Sequence, residues 1–285
     1  MIQWYPGHMA KAKRILKDDL KLVDLIIEVL DARAPYSTQN PDLQSLVKAK
    51  KRVAVLNKKD LADPELNQKW LNYFKGDAVL LNSMTGEGVG DLKNLLNSLH
   101  YEITNKLSKK GRKSRRIRAM IIGIPNVGKS ALINLLAGSK AANIADKPGV
   151  TRGRQWVNVS KKVRLLDTPG ILWPSFSDED TAYKLALTGA VSNDVFDFEL
   201  AAYKLIKFIK NIKPAKLEEF YQLDYLADHP YDILADIARK RGCLMTGGKV
   251  DRNRAAAIII NDYRDGKLGR ITLEKPVEVD EDEIS

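Results

Sequence analysis

The sequence predicts a parallel α/β domain followed by an all-helical one, and three observations carry the prediction. Short, continuously apolar runs alternate with helix-spaced segments through the first part of the chain. After about residue 178, every apolar segment takes helical spacing instead. Two short motifs, one polar and one glycine-rich, stand at the ends of predicted strands, where open α/β sheets bind their ligands.

Taken in order, LVDLIIEVLD (22–31) and RVAVLN (52–57) are apolar, β-branched runs of the kind found in parallel strands buried on both faces. PDLQSLVKAK (41–50), between them, has helical spacing and a proline suited to a first turn. Helical segments near 64–75 and 89–106 flank a short strand, AVLL (78–81). Such βαβ alternation implies right-handed crossovers in one sheet. KLSKKGRKSRRIR (106–118) holds eight basic residues and no acidic one, which suits either a solvated linker or a phosphate-contacting segment. A strand IRAMIIG (117–123), a glycine-rich turn and a helix from Lys129 to Ala137 follow. RQWVNVS (154–160) and VRLLD (163–167) then read as a strand pair. Beyond them TAYKLALTGAVS, DVFDFELAAYKLIKFIKNI, AKLEEFYQLDYLA, YDILADIARK and RNRAAAIIINDYRDG are all helix-spaced, and the acidic VEVDEDEIS ends the chain. The expected division is 1–177 and 178–285. Phe220, Tyr221 and Tyr225 are assigned to the helical core, and no aromatic stacking platform is evident.

Composition narrows the function classes. With 44% hydrophobic and 29% charged residues over 285 positions, the chain can bury a substantial core. No apolar run approaches the roughly 18–20 residues that span a bilayer, and MIQWYPGHMAKAKR has no signal-peptide core, so a cytoplasmic protein is expected. A single cysteine, Cys243, excludes an internal disulfide framework, and His8, His100 and His229 are scattered rather than spaced as metal ligands. The formal charge of +11 points to a polyanionic partner. Nucleic acid fits better than a membrane, because no amphipathic stretch pairs the charge with a strong apolar face. Solubility alone is the bland alternative.

The motifs carry the chemistry. Gly123-Ile-Pro-Asn-Val-Gly-Lys-Ser130 fits GxxxxGK[ST] between a predicted strand and a predicted helix, the context that marks a phosphate loop. Backbone N–H groups from Asn126 through Val127, Gly128, Lys129 and Ser130 to Ala131 would cradle phosphates at the helix N-terminus. Lys129 would neutralise the β- and γ-phosphates, and the Ser130 hydroxyl would ligate Mg²⁺. Asp167-Thr-Pro-Gly170 follows a strand some forty residues on; Asp167 would hold the ion through water, and the Gly170 N–H could sense the γ-phosphate. Thr151, in the intervening loop, supplies a second hydroxyl ligand that arrives only with γ-phosphate.

Asn57-Lys-Lys-Asp60 is a base-reading motif. The Asp60 carboxylate can accept from guanine N1–H and its exocyclic amine together, whereas adenine would leave it unpaired. Asn57 would tie the loops together, and the Lys58 stem would cover the base. Asn82 and Ser83 open a short loop that could back the guanine, without its usual alanine and lysine. Together the motifs specify GTP.

Their order is unusual. In a Ras-like domain the phosphate loop comes first and the base-reading loop last. Chain termini lie close together in such domains, so joining them and cutting elsewhere preserves the sheet. Here 106–118 would be the join, with the cut just after DTPG. The fold is therefore expected to be a circularly permuted Ras-like P-loop GTPase domain with a C-terminal all-helical domain, and movement of the second switch would pass directly to the helices.

On WYPGHMAKA (4–12), DARAP (31–35), NKKD, GIPNVGKS, PGVTRG (148–153) and DTPG in this order, nearly the whole chain resembles the bacterial ribosome biogenesis GTPase A family. Relatives act in mitochondria, and the lack of a presequence favours the bacterial kind. The resemblance implies a GTP-hydrolysing assembly factor for the large ribosomal subunit, slow alone and stimulated by the particle, with an RNA-binding helical bundle and a monomeric state. Ile171 stands where many GTPases place a water-orienting glutamine. The resemblance points instead to His8 as the catalytic group, beside Lys129 and Thr151; a turn residue or an rRNA contact is the alternative reading of His8. Asn126 resembles the residue that binds potassium in some GTPases, though it could simply shape the loop. The densest basic groups of the helical part are Arg239, Lys240, Arg241, Lys249, Arg252 and Arg254, and then KLIKFIKNIK (204–213). A GTP-gated RNA-binding module with incidental hydrolysis, and a signalling GTPase working through proteins, are the competing readings.

Overall fold

The computed structural model describes residues 14–39, 46–48, 50–109, 111, 115–138, 156–166, 178–192 and 196–276. Its strands are β1 (Leu25–Asp31), β2 (Lys51–Asn57), β3 (Ala78–Leu81), β4 (Ile117–Ile122), β5 (Trp156–Asn158) and β6 (Val163–Leu166). They form one six-stranded sheet in the order β3-β2-β1-β4-β6-β5. All pairs are parallel except β5 with β6, the expected strand pair, which is antiparallel.

The first three strands walk outward from the centre; β4 starts again on the other side of β1, with β6 beside it and β5 at the edge. The reversal between β1 and β4 is the topological switch point at which open sheets form their ligand crevice. The strand leading into the phosphate loop, β4, is thus central although it is fourth in sequence. That is the layout of a permuted P-loop GTPase sheet.

Every residue of β1 is buried, as a strand covered on both faces requires. Leu25, Ile27 and Val29 face one layer together with Val53, Val55, Ala119 and Ile121. Two helices cover that face: α2 (Val89–Ser108), through Leu92, Leu96 and Leu99, and α3 (Lys129–Ala137), through Leu132, Ile133 and Leu136. The opposite face packs Ile26, Met120 and Ile122 under Leu16 and Leu20 of the helical residues 14–20. Its other half packs Leu30, Ala54 and Leu56 under Trp70 of α1 (Pro64–Tyr73). The Asp63 carboxylate caps α1 by accepting from Glu65 and Leu66 N–H, with Pro64 in the first turn.

The basic join is partly built into the domain. Arg115 grips the Asp24 carboxylate through both terminal nitrogens, at 2.8 and 2.7 Å, and the Arg118 N–H donates to the same group at 2.9 Å. Lys106 pairs with Glu102 on α2. These cations serve the fold before they serve any polyanion.

The helical region comprises α4 (Glu179–Thr188), α5 (Phe198–Ile212), α6 (Pro214–Tyr221), α7 (Pro230–Lys240) and α8 (Arg252–Arg264). Its core is built from Leu205, Ile206 and Ile209 of α5, Ile233, Leu234 and Ile237 of α7, and Ile259, Ile260 and Tyr263 of α8. Helix α4 belongs to both parts: Leu185 and Ala186 pack in the sheet layer, and Leu187 packs in the helical core. Tyr221 is buried as expected, but Tyr225 is 69% exposed and is no core residue. Its position, past the end of α6, points its ring outward where helical spacing no longer applies.

After α8 the chain returns to the sheet domain as a strap. Ile271 N–H donates to the Leu61 carbonyl, Leu273 N–H to that of Arg33, and the Trp70 indole to that of Glu274. The Glu274 carboxylate accepts from Tyr36 N–H at 2.7 Å and from the Ser37 hydroxyl. Lys213 at the end of α5 adds an ion pair to Asp63 at 2.6 Å. Among the described residues, no helix is long and apolar enough to cross a membrane.

Candidate functional site

Three loops meet at the carboxyl ends of β2, β3 and β4. The Asn57 amide at the end of β2 donates to the Val127 carbonyl at 2.7 Å and to Ser83 Oγ at 3.0 Å. Its Oδ1 accepts from Ser83 N–H at 3.0 Å. One buried side chain thus joins the base-reading loop, the loop at 82–86 and the phosphate loop, as its residue type suggested. Asn82 folds its own loop, its Oδ1 accepting from Met84 and Thr85 N–H. Lys59 reaches Glu87 at 2.7 Å and adds a second tie.

The phosphate loop has the backbone the motif demands. Asn126 is left-handed at φ 60, an unusual state for any residue but glycine and one that Asn tolerates. Gly128 at φ 99 caps α3, which begins at Lys129. Ser130 is exposed in the first turn, and Ala131 follows at intermediate exposure. The Lys129 ammonium donates to the Ile124 carbonyl at 2.6 Å, folded across its own loop. The Asn126 amide donates to the Gly189 carbonyl at 2.9 Å, just past α4. An open cradle of N–H groups at a helix N-terminus suits phosphate oxygens.

In the base-reading loop, Lys58 is left-handed at φ 60 and precedes a single 3₁₀ turn, Lys59–Leu61, which carries an exposed Asp60. The Lys58 ammonium sits 2.9 Å from Asp31 Oδ2. Asp31 is fully buried and also takes a two-pronged contact from buried Arg33, Nε at 2.9 Å and Nη2 at 2.8 Å. Burial alone would raise the Asp31 pKa, but Arg33 and Lys58 outweigh it and hold the carboxyl well below the usual carboxylate range. The charge of Arg33 and Asp31 is therefore retained inside the protein.

The sign of the pH effect follows. A depressed folded-state pKa contributes stability that is present above the unfolded value of 3.8 and is lost as pH falls through the folded one. Acidification from about pH 5 to about pH 3 should therefore cost the wild type about 1 kcal/mol more than it costs Asp31→Asn. Urea unfolding at the two pH values measures the difference; equal losses would mean that folding does not lower the Asp31 pKa.

His8, Thr151, Asp167 and Gly170 lie outside the described residues. The structure brings Asn57, Lys58, Asp60, Asn82, Ser83 and the run from Asn126 to Ala131 to one end of the sheet. No cluster of three or more His, Cys, Asp or Glu suited to a metal occurs among the described residues.

On the helical side, several predicted basic residues are internally engaged. Arg239 pairs with Asp236, Arg241 lies over the Phe220 and Tyr221 rings, and Lys210 donates to the Ala227 and Asp228 carbonyls. Lys249, Arg252 and Arg254 are exposed. Aromatic rings also gather on this side. Tyr203, Tyr231 and exposed His229 form a ring cluster, Tyr203 lying 4.9 Å from Tyr231 and His229 stacking on Tyr231 at 5.6 Å. His229 and Tyr231 are neighbours at the start of α7, whereas Tyr203 comes from α5, so no local pattern announced the cluster.

A ribosome biogenesis GTPase A from Bacillus cereus is 42% identical to this chain over 284 residues, covering 99% of this chain and 96% of that one. The chain belongs to the ribosome biogenesis GTPase A family. The family model described as "50S ribosome-binding GTPase" matches residues 118–223. As a GTPase of the ribosome biogenesis GTPase A family, the chain also resembles solved structures of YlqF from Thermotoga maritima. The GNP-bound form has a TM-score of 0.70 at 30% identity and covers 94% of this chain and 100% of that one. The GDP-bound form has a TM-score of 0.67 at 29% identity, covering 92% and 99%. These GNP- and GDP-bound homologue structures support guanine-nucleotide binding in the family.

Proposed function

We propose that this GTPase docks on the maturing large ribosomal subunit through rRNA contacts and couples GTP hydrolysis to its release. The observation that carries the reading is the near full-length likeness to ribosome biogenesis GTPase A proteins, together with the 50S ribosome-binding family match. The net charge of +11 and the exposed Lys249, Arg252 and Arg254 favour a polyanion. The Tyr203–His229–Tyr231 cluster, beside exposed Lys207, offers ring faces on which an unpaired base could stack. A monomer acting in the cytoplasm, divided at 1–177 and 178–285, accords with this role.

In the site, Asp60 reads guanine, Lys58 covers it, and Asn57 with Asn82 and Ser83 fixes the wall behind it. N–H groups from Asn126 to Ala131 and the Lys129 ammonium hold the phosphates. The exposed Ser130 hydroxyl, one residue past Lys129, would ligate Mg²⁺, with Thr151 and Asp167 as its expected companions; the ion would neutralise charge on the β- and γ-phosphate oxygens. The Asn126 side chain is the group that would take potassium, and Gly170 would report the γ-phosphate. With Ile171 unable to orient water, His8 is assigned that role once the particle positions it.

GTP turnover measured with isolated large and with small subunits, at one fixed potassium concentration, tests the reading. Large subunits alone should stimulate turnover, and His8→Ala should abolish the stimulation while leaving GDP binding intact. Binding to the particle should weaken about 10³-fold or more between roughly 50 and 200 mM salt. Absence of stimulation with binding retained would favour the gated-binder alternative. Salt-insensitive binding would favour a protein partner.

A further inference from the structure

Arg33, in the DARAP segment, has no role in the nucleotide chemistry above, yet it is almost wholly buried at 1% exposure. One edge of its guanidinium holds Asp31, which in turn holds Lys58 of the base-reading loop. The remaining N–H groups leave the sheet domain. Nη1 donates to the Arg264 carbonyl at the end of α8 at 3.3 Å, and Nη2 to the Thr188 carbonyl at the end of α4 at 3.2 Å. The cation also stands over the Tyr263 ring, 5.3 Å from its centroid.

The end of α4 is where such donors are needed, because the last carbonyls of a helix have no partner within it. Side chains from three places supply them. Arg264 donates to Ala186 and Leu187, Arg33 to Thr188, and Asn126 of the phosphate loop to Gly189. Two of these three donors belong to the nucleotide-binding domain. The carboxyl end of α4 is therefore held by the loops that surround the nucleotide.

We propose that Arg33 is a positioning residue of the guanine site, holding Lys58 through Asp31 with one edge and the ends of α4 and α8 with the other, so that nucleotide binding and docking of the helical region form one coupled equilibrium. Nucleotide settling under Lys58 favours the Asp31–Arg33 arrangement that grips the helices. By reciprocity, helices pulled away by a partner weaken nucleotide binding by the same factor. The planar fork matters: a lysine has one point of charge and cannot face both directions at once. The inference rests on guanine-nucleotide binding at this site.

The test uses the full chain in three forms. Arg33→Gln combined with Asp31→Asn replaces a buried ion pair by a neutral amide pair, which avoids stranding one charge. Ser37→Ala loosens the strap at Glu274 without touching the relay. GDP affinity is measured by calorimetry, and backbone hydrogen exchange at 186–189 and 264–266, the ends of α4 and α8, is followed with and without GDP. Wild type is expected to show GDP-dependent protection there. The double variant should lose that protection and bind GDP about 5- to 100-fold more weakly. Ser37→Ala should keep both properties within about twofold, inside the usual additivity error for a site off the relay. A folded double variant with wild-type affinity, or with protection retained, overturns the proposal. If the double variant fails to fold, Arg33→Lys is read in its place against the same criteria. Wild type that binds GDP without protecting these segments overturns the coupling alone; wild type that does not bind GDP removes the site itself.

Discussion

Asp60→Asn should lower GDP affinity about 10³-fold and make xanthosine diphosphate the better ligand. A carboxylate in that place would accept from guanine N1–H and the exocyclic amine together. An amide keeps one acceptor but turns a donor toward the amine, so one good hydrogen bond becomes a clash of donors. Xanthine carries a carbonyl where guanine carries the amine, and the amide donor then finds an acceptor. The effect should be large because the loop cannot drift to accommodate the mismatch. It is held by Asn57 to Ser83 and Val127, and by Lys59 to Glu87. Calorimetric titration of both nucleotides against wild type and variant gives the answer. A variant that still prefers GDP would show that Asp60 does not read the base.

Gly128→Ala is expected to remove nucleotide binding, at least about 10²-fold in affinity, and to cost about 2–4 kcal/mol of stability. Two separate costs combine. At φ 99 the added Cβ meets the left-handed penalty, and an ideal Cβ would lie 2.2 Å from Asn57 Nδ2. Asn57 must then move, and with it go the bonds that fasten the phosphate loop to the base-reading loops. Gly76 separates the two costs, because its φ is +86 and a Cβ there meets nothing within 4 Å. Gly76→Ala should show only the backbone strain, about 1–2 kcal/mol, with GDP affinity unchanged. Equal effects at the two glycines on GDP affinity would mean that the Asn57 contact is incidental.

Much of this architecture is readable from local pattern. The run AVLL predicts β3 to the residue, and LIIEVLD is buried on both faces as its mostly apolar run suggests, with Glu28 and Asp31 buried along with it. Asn57 could be assigned a tying role from its type and place, and it makes those bonds. What escaped has partners far away in sequence. Asp31 and Arg33 stand two apart in DARAP, an acid and a base within reach of each other, but the Thr188 and Arg264 carbonyls that complete their role lie 155 and 231 residues from Arg33. The strap at 268–274 has neither strand nor helix periodicity, since its hold comes from backbone bonds to Leu61 and Arg33, the Trp70 indole, the Glu274 carboxylate and buried Leu268, Ile271 and Leu273. Tyr225 was misassigned because a helix-spaced pattern was carried past the point where the helix ends at Tyr221. The basic clusters look free in sequence, yet Arg115, Arg239 and Lys210 are committed to Asp24, Asp236 and the 227–228 carbonyls.

Helix α4 contributes Leu185 and Ala186 to one apolar core and Leu187 to the other. A chain cut at residue 178 leaves the sheet-side core without Leu185, Ala186, Ala190 and Val191. A fragment starting there would expose the side of α4 that the sheet covers, and a fragment ending there would leave Ile124 and Val127, beneath the phosphate loop, without the apolar neighbours α4 brings to their layer. The two parts should therefore melt together, in a single calorimetric transition, although their folds are of different classes.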